Sequence, residues 1–257
     1  MITKSELQKL RQELKRGDKT SQDRLDAIHD HLKKFKKALV KDRSDELFVL
    51  VRSDGKSSQL TTPRWLCHLL GLRHRCAHVL LWWDSPQFGR TFILQVRSWA
   101  KSDSPGHLDI SVGGHVKGNN SSEDTAYKEM KEELGIAKSD LMVRHLSYVG
   151  GYESFNSREN DNFYNAEWRD VYVGELTTRN LGKIQFKDKE VVGLYLCPNG
   201  QARKLLKQDK IPIASALDLS LPKCMKVGMK NMPNNGIQPT SLPKAEADAS
   251  PLGRYKR

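Results

Sequence analysis

At 257 residues the chain is long enough for one domain of average or larger size plus appendages, and its net charge of +12 raises the question of nucleic acid. The charge lies at the ends: residues 1–40 hold 11 Lys/Arg against 6 Asp/Glu, residues 201–257 hold 11 against 4, and residues 41–200 hold 21 of each. That distribution gives no ground for a nucleic-acid-reading surface, and with no run near 18 apolar residues and a polar start, MITKSELQKL, the expectations are no membrane span, no specific nucleic-acid partner and a cytoplasmic location.

The first forty residues predict a helical hairpin. Leu7, Leu10 and Leu14 share one face of a first helix closed by Gly17. Thr20 or Ser21 caps a second helix, in which Leu25, Ile28, Leu32, Phe35 and Leu39 keep helical spacing. The hairpin either packs on the core or forms the contact of a homodimer. From Asp45 the pattern turns strand-like, with ELFVLVRS, a turn at Asp54-Gly55, a short helix PRWLCHLLG, the strand AHVLLWW and its return RTFILQVRS. HLDISVGGHV follows, and its Gly113-Gly114 pair permits close backbone approach. Cys67, Cys76, Cys197 and Cys224 show no CxxC or other zinc spacing and read as reduced thiols.

Next comes GHVKGNNSSEDTAYKEMKEELGI, residues 114–136, whose helical half carries Glu129, Glu132 and Glu133 at i, i+3 and i+4. At roughly 100° per residue these three share one face, while Tyr127, Met130 and Leu134 face a core. Three neighbouring carboxylates repel, and they sit at the negative end of the helix dipole, before the αL cap expected at Gly135. A local rule broken without local compensation predicts a bound cation, and oxygen ligands suit a hard divalent ion that keeps waters for a phosphate substrate. Beyond it, DLMVRHLSYVGGY, AEWRDVYVGEL and EVVGLYLC read as strands and QARKLLKQ as a helix. GYESFNSRENDNFYNAE reads as a long loop, with Tyr152, Phe155, Phe163 and Tyr164 as candidates to stack on a base. The tail from residue 227 is rich in Pro, Asn and Ser and is expected to be disordered.

From Gly114 the chain reads G-x5-N-x7-K-E-M-x-E-E-x-G-I, which resembles the Nudix box, G-x5-E-x7-R-E-U-x-E-E-x-G-U with U aliphatic. It departs at Asn120, where the first Glu belongs, and at Lys128, where Arg belongs. The resemblance implies an α/β fold, a Nudix α/β/α sandwich with a mixed sheet over residues 41–226, preceded by the hairpin of residues 1–40 and followed by the tail of residues 227–257. It implies a metal-dependent hydrolase of an organic, nucleoside-type diphosphate, a small-molecule substrate on which water attacks phosphorus, with Mg²⁺ or Mn²⁺ as cofactor. Carried over residue by residue, Glu129 is base or metal ligand, Glu132 and Glu133 are ligands, Lys128 orients Glu129, and Gly113 and Gly114 let the backbone approach the phosphates. Glu190 is a further candidate base.

The stretch from Asp45 to Leu206 also resembles the Nudix subgroup similar to isopentenyl-diphosphate isomerase. That resemblance adds His74, His115 and Glu167 as metal ligands, with His68 nearby, a set that suits Mn²⁺ or Zn²⁺ as well as Mg²⁺. The isomerase places a cysteine before the Gly-His that enters the box; here that place is Gly113. Two rival functions therefore stand beside hydrolysis: an isomerase, for which the fold would have to carry Cys67 or Cys76 into the site, and a non-catalytic module that binds a nucleotide or a partner.

Overall fold

The computed structural model describes residues 2–101, 103–142, 145–187, 189–208 and 210–230. The chain opens with helix α1 (Lys4–Leu14), started by a capping box in which Thr3 Oγ1 accepts from the Glu6 N–H and the Glu6 carboxylate accepts from the Thr3 N–H. Helix α2 (Gln22–Lys33) is capped by Ser21. The apolar spacing predicts a single second helix, but the chain breaks at Lys34-Phe35 and resumes as the short α3 (Lys36–Leu39). Leu7, Leu14, Leu25, Leu32 and Leu39 are buried in one cluster with Phe48, Trp65, Leu66 and Leu69. The hairpin thus packs on the chain's own core.

Strand β1 (Leu47–Val51) and strand β2 (Ser57–Pro63), the latter missing from the sequence reading, pair antiparallel and lead into helix α4 (Arg64–Leu70). Strand β3 (Arg73–Ser85) is the spine. Along one flank it runs parallel to β8 (Phe163–Leu176); along the other it pairs in turn with β1, with β6 (Val112–His115) and with β4 (Gly89–Arg97), all antiparallel. Where β6 gives way to β4, Ser111 fills the gap: its hydroxyl accepts from the Leu81 N–H at 2.7 Å and donates to the Ile93 carbonyl. The short β5 (Leu108–Asp109) and β9 (Val191–Pro198) flank β4, and β7 (Ser147–Arg158) flanks β8.

Helices cover both faces of this mixed sheet. Ala77, Val79, Leu81 and Trp83 of β3 pack with Ala126, Met130 and Leu134 of helix α5 (Ser122–Leu134). The alternate residues turn the other way; there Leu80 packs with Ala202 and Leu205 of α7 (Asn199–Leu205) and with Leu217 and Leu221 of α8 (Ser215–Lys230). A short helix, α6 (Thr178–Leu181), joins β8 to the last strand. This is the expected α/β/α sandwich with N-terminal helices.

The segment read as a long loop, GYESFNSRENDNFYNAE, is instead the β7–β8 hairpin, closed by a short turn at residues 159–162. Its polar residues hid the strands because β7 is largely exposed or half-buried. The aromatic candidates are already engaged: the Tyr152 hydroxyl bonds Ser220, Arg16 covers Phe155, Arg11 covers Tyr164, and Phe163 packs on His68 and Arg158. Of the expected disordered tail, residues 231–257 lie outside the described residues; residues 227–230 continue α8. Among the described residues, no helix is long and apolar enough to cross a membrane.

Candidate functional site

Helix α5 is set at both ends by the sequence. Ser121 Oγ accepts from the Asp124 N–H at 3.0 Å, and Gly135 ends the helix at φ +70° with its N–H donating to Lys131. Strand β6 delivers Gly114 beneath the helix. A Cβ at that position would stand 2.4 Å from the Glu129 carboxyl carbon, so glycine is required here to seat Glu129. Gly113, one residue back, faces the other way, where a Cβ would meet the His78 ring at 3.4 Å. Of the expected glycine pair, only Gly114 borders the box helix.

The three box carboxylates have three different surroundings. Burial pushes the Glu129 carboxyl up to about 7, against the pull of Lys117, which is itself ion-paired with Glu46. Glu133 is only 2 % exposed, and Gln95 Nε2 of β4 lies 3.4 Å from its Oε2, so this carboxylate faces the interior. Glu132 is half exposed and pairs with Lys128 at 3.7 Å. Lys128 was expected to orient Glu129; on an outward-facing turn it meets its i+4 neighbour instead. Asn120 is exposed in the turn before α5, where its N–H donates to Lys117 at 3.1 Å. Glu190 is paired with Lys101.

The second constellation grows from the other face of β3. Cys76 stands opposite His115 of β6, and His74 opposite Glu167 of β8, so the alternation of strands puts His74, Cys76, His115 and Glu167 on one side. Ligand atoms from these four residues all lie within 4.8 Å of one another. Phe48 stacks on the His115 ring at 4.3 Å and on the His74 ring at 4.9 Å, and the His68 ring lies 5.3 Å from that of His74. Glu167 is held from behind: Arg169 Nε donates to its Oε2 at 2.6 Å and Asn165 Nδ2 to its Oε1 at 2.9 Å, while His115 Nε2 faces Oε1 at 3.6 Å.

Electrostatics fix the charge states of this group. Burial drives the His74 imidazole down to about 3 and lowers those of His115 and His68, so all three are neutral at pH 7. Burial alone would raise the Glu167 carboxyl, but Arg169 and His115 outweigh it and hold it well below the usual range. Burial also pushes the Cys76 thiol well above its ordinary value. His74 Nδ1 lies 3.0 Å from the Leu72 carbonyl, which can only accept, so Nδ1 carries the proton and Nε2 bears the lone pair. That Nε2, like His115 Nε2 and both ring nitrogens of His68, is buried without a hydrogen-bond partner in the protein. A lone-pair nitrogen such as His74 Nε2, left buried and unpaired near the Glu167 carboxylate, fits a divalent ion.

The structure therefore divides the residues that the resemblance gathered into one metal set. Glu129, Glu132 and Glu133 lie on the α5 side of the sheet; His74, His115 and Glu167 lie on the opposite side, and Cys76 joins them. Sequence reasoning missed Gln95, Lys117 and Arg169, and it weighed Cys76 only as a replacement acid–base thiol, not as a ligand. For Cys76 the signal was present: His74-x-Cys76-x-His78 has the period of a strand, not the CxxC spacing of a zinc loop.

Comparison with known proteins agrees with this architecture. The NUDIX domain family matches residues 72–217, and the chain belongs to that family. It is 27% identical over 168 residues to Nudix hydrolase 3 of Arabidopsis thaliana, a match that covers 65% of this chain and 21% of that protein. It is 43% identical over 67 residues to an uncharacterized Nudix hydrolase of Streptomyces coelicolor, covering 26% of this chain and 35% of the other. The chain thus spans about a fifth and a third of the lengths of these two relatives. A crystal structure from Deinococcus radiodurans superposes with a TM-score of 0.50 at 17% identity, over 71% of this chain and 98% of that one, and shares the fold.

Proposed function

We propose that the protein hydrolyses an organic, nucleoside-type diphosphate by attack of water on phosphorus, at the α5 face of the sheet. Glu129, Glu132 and Glu133 would hold Mg²⁺ or Mn²⁺ there, and such an ion neutralises phosphate oxygens and acidifies a bound water. The observation that carries the reading is Glu129, seated against Gly114 with its carboxyl raised to about 7, where a carboxylate can accept a proton near neutral pH. Glu133 presents its charge from the interior and Glu132 from the surface. Lys117, ion-paired with Glu46, pulls the Glu129 carboxyl back toward its charged form. His74, His115 and Glu167 would hold a second ion on the opposite face.

The test is a panel of nucleotide sugars, dinucleotides, nucleoside triphosphates and capped RNA with Mg²⁺ or Mn²⁺, read as phosphate release after a coupled phosphatase. At least one class should turn over, chelator should stop it, and Glu129→Gln should lower the rate by about 10²-fold or more. A panel that stays silent would favour a nucleotide-binding module instead.

One observation favours the isomerase as a second reading. The thiol missing at Gly113 has a counterpart in Cys76, which the fold carries opposite His115. With Cys76 2 % exposed and flanked by two strands, isopentenyl diphosphate is expected to isomerise poorly. Efficient appearance of the allylic product by NMR would replace the hydrolase reading.

A further inference from the structure

We infer that His74, Cys76, His115 and Glu167 form a closed structural site for a thiolate-binding divalent ion, Zn²⁺ foremost, separate from the hard ion of the α5 carboxylates. The inference rests on reading His74, His115 and Glu167 as ligands, and adds the fourth donor, the class of ion and its role. Two neutral imidazoles, one thiol and one carboxylate are the donor types of zinc sites, whereas hard Mg²⁺ prefers all-oxygen shells. His74, Cys76 and Glu167 are buried and His115 is partly exposed; four protein donors fill a tetrahedral shell and leave no position for substrate, which is the mark of a structural ion rather than a catalytic one.

Each donor is aimed by something behind it. The Leu72 carbonyl takes the His74 Nδ1 proton and leaves Nε2 for the ion; Arg169 holds Glu167 Oε2 and leaves Oε1 toward the centre; Phe48 clamps both imidazole rings. Cys67 Sγ lies 3.2 Å from His74 Nδ1, on the atom already engaged, and is not a fifth donor. An ion about 2.0–2.3 Å from four tetrahedral ligands needs donors roughly 3.3–3.8 Å apart, so the set must close by about 1 Å at its widest. On binding, the Cys76 S–H bond breaks, its proton passes to solvent and the sulfur forms the bond to the ion. A cleft lined by Lys41, Trp65, His68 and Phe163 lies beside the set, its His68 ring 5.3 Å from that of His74. Because the donors come from β3, β6 and β8, the ion would tie the spine of the sheet to both of its flanks.

The full chain, stripped of metal, is titrated with Zn²⁺, Mg²⁺ and Co²⁺. Zn²⁺ should raise the melting temperature while Mg²⁺ does not, and Co²⁺ should give tetrahedral d–d absorption with a sulfur-to-cobalt charge-transfer band in the near ultraviolet. Cys76→Ser should lose the sulfur band and weaken Zn²⁺ binding by at least about tenfold, or about 1.4 kcal/mol. Glu129→Gln should leave the cobalt spectrum intact, which separates this site from the hydrolytic one. A wild-type cobalt complex without the sulfur band, or equal Zn²⁺ affinity in Cys76→Ser, would overturn the site and leave the hydrolase reading standing. Loss of turnover with the band preserved bears only on the latter. Should Cys76→Ser fail to fold, the wild-type spectrum alone decides.

Discussion

Gly114 and Glu129 are one device split between a strand and a helix. The φ of Gly114 is one that any residue can adopt, and what a methyl group would meet is the end of a flexible glutamate side chain. Gly114→Ala is therefore expected to keep the fold while displacing the Glu129 carboxyl. A shift of about 1 Å at a reacting group costs on the order of 10²-fold, so turnover should fall that far with the melting temperature nearly unchanged. Glu133→Gln probes the opposite situation, a charge held in the interior beside Gln95. The amide keeps the shape and removes the charge, so the variant should fold at least as well and lose hydrolysis; full activity with unchanged metal dependence would remove Glu133 from the site. At this scale the sequence showed which residues are acidic and at what spacing. It did not show which of them would be covered, because Gln95 reaches α5 from β4, a strand distant in the chain, and the loop after β6 has to fold back to set Gly114 beneath Glu129.

Among the elements, α5 is the best specified. Its apolar stripe and its Gly135 terminus are local and appear as the sequence implied, and its Ser121 cap, equally local, emerges with the structure. Its pH response follows from Glu129. The folded value of about 7 lies above the ordinary 4.5, so between those values the folded metal-free chain binds more protons than the unfolded one. Its stability should fall as pH rises from about 4.5 through 7, and Glu129→Gln should flatten that slope in urea melts. The N-terminal hairpin was equally legible as helices, but its partner was not: only packing shows Leu14 fully buried among Leu66 and Leu69. Leu14→Ala should cost about 2–5 kcal/mol by chemical denaturation; a value near zero would mean that the hairpin is an appendage. Parts of β7 and β8 read as strands, but the end of their hairpin read as a loop because Glu153, Asn156, Asn165 and Glu167 are polar whether they face water or a buried cluster, and so lack the alternation that apolar burial imposes.

In the whole molecule the central sheet separates two chemistries. The box carboxylates sit on α5, and the His/Cys/Glu cluster lies on the opposite side of the sheet, against Phe48 and His68. A motif read along the chain places His115 immediately after Gly114; strand alternation sends the two to opposite faces, which no linear spacing shows unless the strand is known first. The described core ends with α8, whose Leu217, Leu221, Cys224 and Met225 are buried. Removing residues 231–257 should leave melting temperature and turnover unchanged, since that segment is too poor in apolar residues to offset its ordering entropy. The most direct measurement of the account is hydrolysis of the best diphosphate of the panel in ¹⁸O-labelled water with Mg²⁺, for wild type and Glu129→Gln. The account predicts one labelled oxygen in a phosphate product of the wild type and turnover lowered by about 10²-fold or more in the variant; unlabelled phosphate, or equal turnover in the two proteins, would contradict it.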